Sequence, residues 1–79
     1  MRLDKFLKLS RIIKRRTIAN EACDAGRISV NDKIAKASLE VKVGDIIEIR
    51  FGGNIQWVEV LLLSENPRKE EASLMYRPL

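Results

Sequence analysis

The chain has 79 residues, 46% hydrophobic and 33% charged, a balance that suits one folded domain with a modest core and leaves no room for a large catalytic cleft. With one cysteine, Cys23, and no histidine, it can form neither an internal disulfide nor a Cys/His zinc site, and a reducing cytoplasm is the expected compartment. Residues 1–42 carry eleven basic and five acidic side chains and residues 43–79 four and six, so the net charge of +4 divides as +6 against −2, the footprint of a polyanion binder with a basic first half.

The first sixteen residues, MRLDKFLKLSRIIKRR, hold seven cations and one carboxylate, Asp4. Leu3, Phe6 and Leu7 recur at helical spacing, while Arg2, Lys5, Lys8 and Arg11 step three residues at a time, which predicts an amphipathic helix with a slanting basic stripe. Ser10 to Lys14 reads as a tight connection. Thr17 to Ala25 is expected to be a second helix whose apolar stripe, Ile18, Ala19, Ala22 and Cys23, is small enough to pack closely on the first, with Gly26 as its left-handed cap.

Ile28 and Val30 then alternate with polar residues, a strand that turns at Asn31-Asp32 and returns through Lys33 to Lys36. Gly44-Asp45 marks another turn. A strand through Ile46, Ile47, Ile49 and Phe51 follows, and Gly52-Gly53-Asn54 joins it to a last long strand, Ile55 to Leu63. After Asn66-Pro67 the tail RKEEASLMY has helical composition and stops before Pro78. Together these elements predict a small α+β domain, two packed helices covering one side of a curled antiparallel sheet, with a short C-terminal helical tail. The longest apolar run, Val60 to Leu63, is too short to cross a bilayer, and the first sixteen residues lack the core of a signal peptide, so no membrane partner is expected.

Catalysis has little to work with. No histidine is present, the carboxylates are scattered, Cys23 lies on an apolar helical stripe and reads as core, and no phosphate-cradling glycine loop occurs. No enzymatic activity, catalytic residue, cofactor or metal is expected. The basic residues carry the positive signal: Lys14, Arg15 and Arg16 stand at the start of the second helix, where they oppose the helix dipole unless an anion is bound there. Arg2, Arg11, Arg15 and Arg16 suit forked contacts with phosphate, with Lys5, Lys8 and Lys14 in support. Phe6, Phe51, and Trp57 with the Val58 to Leu63 strand read as core, so recognition should be of backbone and shape, as in structured RNA. A DNA-binding helix-turn-helix is the rival class, opposed by Glu21 and Asp24 on the exposed face of the second helix; a protein-interaction module built on Trp57 is a third. Asp4 is either a solvated charge complementing the helix dipole or a carboxylate that pairs with Arg16 or Arg15 and holds a guanidinium ready for phosphate.

The stretch RTIANEACDAGRISVNDK, Arg16 to Lys33, resembles the signature of the RNA-binding domain named after ribosomal small-subunit protein four, an Arg-Ser/Thr-x-Ala helix ending in Gly-x-Ile/Val-x-Val-Asn-Gly. With MRLDK at the front, the resemblance covers residues 1 to about 52; Asp32 stands where the family often has glycine and Ile18 where it has a polar residue. The resemblance implies the alpha-L motif, two antiparallel helices on a small curled sheet with RNA gripped by the helical pair. On this reading residues 1–66 form the RNA-binding domain and 67–79 a tail, with Arg2, Lys5, Lys8, Arg11, Lys14, Arg15, Arg16 and Thr17 as candidate RNA contacts and Asp4 as the arginine-orienting group. No catalytic domain accompanies the module in these residues. The whole chain, including the FGG turn and the KEEA-x-x-MY tail, resembles the family's small ribosome-associated quality-control branch, related to heat-shock protein fifteen. That resemblance implies a cytoplasmic factor, monomeric off the ribosome, on obstructed large ribosomal subunits. Its partners would be peptidyl-tRNA, large-subunit rRNA and RqcH, with which it would support C-terminal alanine tailing of stalled chains.

Overall fold

In a computed structural model that describes residues 1–79, the chain forms α1 (Leu3–Leu9), α2 (Arg16–Asp24), β1 (Ile28–Val30), β2 (Lys33–Ile34), β3 (Ile46–Phe51), β4 (Asn54–Val60), α3 (Lys69–Ala72) and β5 (Tyr76–Pro78). The strands make one antiparallel sheet in the order β2-β1-β3-β4-β5. Its inner face is built by register: Ile28 lies opposite Ile49, Val30 opposite Ile47, and Ile47 opposite Val58. These side chains form one core with Leu3, Phe6 and Leu7 of α1 and Ala19, Ala22 and Cys23 of α2. Small residues on α2 let the two helices pack closely over the sheet. No helix is long and apolar enough to cross a membrane.

The first helix is shorter than its basic spacing suggests. It ends at Leu9, so only Lys5 and Lys8 of the expected stripe are helical; Arg2 is an extended N-cap residue, and Arg11 lies beyond the helix with φ 65°. Side chains explain the stop. Ile13 enters the core and its N–H bonds to the Leu7 carbonyl at 3.0 Å, while the buried Ser10 hydroxyl donates to the same carbonyl, so the chain turns sharply where a continued helix would carry Ile13 away. At the other end Arg2 supplies no side-chain cap. Instead the N–H groups of Leu3 and Asp4 donate to the carbonyls of Leu39 and Ala37, at 2.8 and 3.2 Å, so the irregular 35–40 segment caps the helix from across the molecule.

The Asn31-Asp32 turn forms as expected, with φ of 51° and 70°. Its returning strand is only Lys33–Ile34: the Ala35 N–H still bonds to the Ile28 carbonyl at 3.0 Å, but the chain then bends away as Ala35 and Ala37 turn into the core. Likewise β4 stops at Val60, where Leu61 and Leu62 turn their N–H groups to the Met75 carbonyl. Three residues expected inside are half-exposed instead: Ile18 at 42%, Phe51 at 36% and Trp57 at 43%. Trp57 sits on the outer face of β4, alternate to buried Val58 and Val60, whereas Phe51, near the hairpin tip, and Ile18 of α2 line one open depression with Ala22 and Ala25 and are only partly covered there. The tail contains the expected helix only over Lys69–Ala72; it then adds β5 to the edge of β4, with Met75 buried in the core. Helical composition hid that strand, and Pro78 is tolerated there because an edge strand does not need its N–H on the outer side.

Candidate nucleic-acid interface

The candidate interface is organised by one carboxylate. The Asp4 side chain, 3% exposed, accepts five hydrogen bonds and makes one further ion-pair contact, with Arg16 Nε. Arg2 approaches as a fork, Nε to Oδ1 at 3.2 Å and Nη2 to Oδ2 at 3.3 Å. Arg16 makes a second fork, Nε to Oδ2 at 3.3 Å and Nη2 to Oδ1 at 3.4 Å. The Lys5 backbone N–H donates to Oδ1 at 2.8 Å and Asn20 Nδ2 to Oδ2 at 3.3 Å. Burial by itself would push the Asp4 carboxyl up, but the hydrogen bonds from Arg2, Arg16, Asn20 and the Lys5 N–H outweigh it and hold the group below its ordinary value. The carboxylate is therefore ionised at neutral pH and acts only as an acceptor.

Each partner arrives by a different route. Lys5 N–H belongs to the first turn of α1, so the carboxylate also satisfies an otherwise unpaired helix donor. Arg2 is held by the bridge between its backbone and Glu40. Arg16 and Asn20 are four apart on α2 and so share a face. Both arginine side chains remain about half exposed, at 46% and 48%, and each guanidinium has N–H groups that Asp4 does not engage. One carboxylate against two arginines leaves a net positive charge.

The other candidate residues are dispersed. Lys8, Arg11 and Lys14 line a separate shallow pocket with Leu9 and Pro67, and none of the three forms an ion pair. Arg15, the exposed N-cap residue of α2, is also unpaired and does not reach Asp4. Lys5 is drawn off to Glu65 at 3.0 Å. Thr17 is exposed beside Arg16 and Asn20 in a second shallow depression. The cations thus form two groups, one locked around Asp4 and one free around the Ser10 to Lys14 turn. Asn20 was missed as part of the first group, although its position four residues after Arg16 places it on the same face. Pro67 and Glu65 carried no such signal, because only the fold brings them to the helices.

Cys23 lies in the core beneath this surface, and burial, with the charges of Asp4 and Asp24, pushes its thiol up to about 11. It packs as a small apolar side chain.

The S4 domain family matches residues 1–47, which include both helices, the Asp4 cluster and the β1–β2 hairpin. This chain belongs to the S4 domain family. Among its relatives, the RQC P-site tRNA stabilizing factor of Halalkalibacterium halodurans is 58% identical over 76 residues, covering 96% of this chain and 86% of the relative. The protein of that name from Streptococcus pneumoniae is 55% identical over the same shares. The trimeric heat shock protein 15 of Vibrio cholerae superposes on all of this S4 domain protein and 81% of its own chain, with a TM-score of 0.91 and 31% identity. The fold expected from the resemblance, helices on a small antiparallel sheet, is the one observed.

Proposed function

We propose that this S4 domain protein is an RNA-binding factor of ribosome-associated quality control, which binds obstructed large ribosomal subunits through its helical face and contacts P-site peptidyl-tRNA and large-subunit rRNA. In this reading it works in the cytoplasm with RqcH, supporting the addition of C-terminal alanines to stalled chains, and contributes binding rather than chemistry of its own. The names of the relatives at 58% and 55% identity support the ribosomal and tRNA setting. The carrying observation is the Asp4 cluster: two guanidinium groups held by one buried carboxylate, each with free N–H groups turned outward, form a pre-oriented donor site for a phosphate backbone. The free cations Lys8, Arg11, Lys14 and Arg15 extend the positive surface, and Thr17 adds a hydroxyl donor beside it. Glu21 and Asp24, exposed on α2, oppose insertion of that helix into a DNA major groove.

Co-sedimentation with large ribosomal subunits carrying peptidyl-tRNA tests this. Arg2→Ala and Arg16→Ala should each weaken binding about tenfold and lower the slope of log affinity against log salt by about 0.7 to 0.9, one lost phosphate contact each. Unchanged binding by both variants, or a preference for duplex DNA, would overturn the assignment. In cells, loss of alanine tails on stalled chains in the same variants tests the link to RqcH.

A further inference from the structure

We propose that the side-chain carbonyl of Asn20 selects ribose over deoxyribose at this interface, by accepting a hydrogen bond from a 2′-hydroxyl group. The proposal rests on the RNA-binding reading above and adds a specificity-determining residue to it. Asn20 donates through Nδ2 to Asp4 Oδ2 at 3.3 Å. Because an ionised carboxylate only accepts, the amide cannot be turned the other way, and its Oδ1 must point away from Asp4. No donor of the chain bonds to that oxygen, and no buried side-chain polar atom in the protein lacks a partner, so Oδ1 is open to solvent.

Its surroundings favour a sugar hydroxyl. Asn20 is the wall shared by two shallow depressions, one lined by Arg2, Lys36 and Ser38 and the other by Arg16 and Thr17. A neutral acceptor therefore stands between two fixed guanidinium groups. A strand whose phosphates lie on Arg2 and Arg16 brings the intervening sugar to Asn20. Asp24 in the first depression and Glu21 in the second are carboxylates that repel phosphate and keep the backbone on the arginine side, while the Ser38 and Thr17 hydroxyls can donate to a phosphate oxygen as well as accept. What Oδ1 can add is an acceptor for a donor that RNA has and DNA lacks, the 2′-hydroxyl.

The test uses a fluorescent RNA hairpin with the sequence of a transfer-RNA anticodon arm, and the same hairpin with fluorine at every 2′ position, which keeps the sugar pucker and removes the donor. Wild type should bind the hydroxyl form about three- to tenfold more tightly, the worth of one hydrogen bond. Asn20→Lys keeps a donor for Asp4 but has no acceptor, so it should bind both hairpins with equal affinity. Asn20→Ala should bind both more weakly, again without preference. A wild type that does not distinguish the hairpins, or an Asn20→Lys protein that still does, overturns the proposal while leaving RNA binding intact. Failure of wild type to bind either hairpin overturns the proposal together with the function on which it rests.

Discussion

Replacing Asp4 with asparagine sets two effects of opposite sign against each other. Electrostatics alone favours the variant, since the net charge rises from +4 to +5 and a carboxylate near the ligand disappears. For a phosphate about 7 Å away that repulsion is roughly 0.6 kcal/mol in water before salt screens it, so this effect tightens binding by less than about threefold. Pre-organisation acts the other way. Without the carboxylate, Arg2 and Arg16 lose their forked partner and must be ordered by the ligand, at about 0.5–1.5 kcal/mol for each side chain. Two side chains at the middle of that range cost about 2 kcal/mol, or about thirtyfold, and the balance is close to tenfold weaker binding.

Folding should survive the same change. Each ion pair joins a buried carboxylate to a half-exposed guanidinium, so solvent screening limits it to about 0.5–1 kcal/mol, and the asparagine carbonyl can still accept from the Lys5 N–H. The loss of about 1–2 kcal/mol compares with a total stability of roughly 4–12 kcal/mol for a chain of this length, and lowers Tm by about 5–15 °C. Anisotropy with a labelled hairpin RNA at fixed salt, alongside a thermal melt followed by circular dichroism, measures both quantities. Equal or tighter RNA binding by Asp4→Asn, with the expected drop in Tm, would refute the idea that Asp4 orients the arginines and leave it a capping charge.

The same carboxylate predicts an acid response: its folded-state pKa lies below the ordinary 3.8, so its contribution is complete above that value and is lost as pH falls through the lower folded-state value. Melting temperatures of wild type and Asp4→Asn should therefore differ near neutrality and converge in strong acid. With its thiol raised to about 11, Cys23 should alkylate in native protein only as fast as the core opens, whereas rapid modification without unfolding would contradict its burial. Asp32, at φ 70°, should gain about 0.5–1 kcal/mol on replacement by glycine. Asn31→Gly should instead destabilise, because the Asn31 amide bonds to Asp45 at 3.1 Å and accepts from the Ile46 N–H at 3.0 Å; chemical denaturation of the two variants checks both signs. Trp57, the only tryptophan, should be quenched readily by acrylamide in the native state, and a shielded, blue-shifted emission would contradict its place on the outer face of β4.

Local features of the chain were legible without coordinates because their causes are local. Leu3, Phe6 and Leu7 mark α1 by spacing, Asn31-Asp32 marks a turn because both residues tolerate positive φ, and Gly26 ends α2 for the same reason. Boundaries failed where a distant partner intervened. Ile13 is drawn into the core and ends α1 early, Ala35 and Ala37 shorten β2, and the free edge of β4 recruits Tyr76–Pro78 from a tail of helical composition. The outer face of the sheet was misread for a related reason: alternation predicts two faces for a strand, but only the position of the helices decides which of them is covered, and Trp57 lies on the uncovered one.

Composition and residue spacing are enough to concentrate positive charge in the first half, to specify helices on a sheet, and to place a lone carboxylate among cations. Tertiary structure decided what that carboxylate does. Its partners come from the N-cap of α1, the first turn of α1 and one face of α2, and Arg16 and Asn20 are twelve and sixteen residues away along the chain. Pattern alone left Arg15 and Arg16 as equal candidates and did not bring Arg2 to Asp4 at all. The choice of Arg16 over Arg15 depends on the angle at which two short helices pack, and that angle is set by Leu3, Phe6 and Leu7 against Ala19, Ala22 and Cys23.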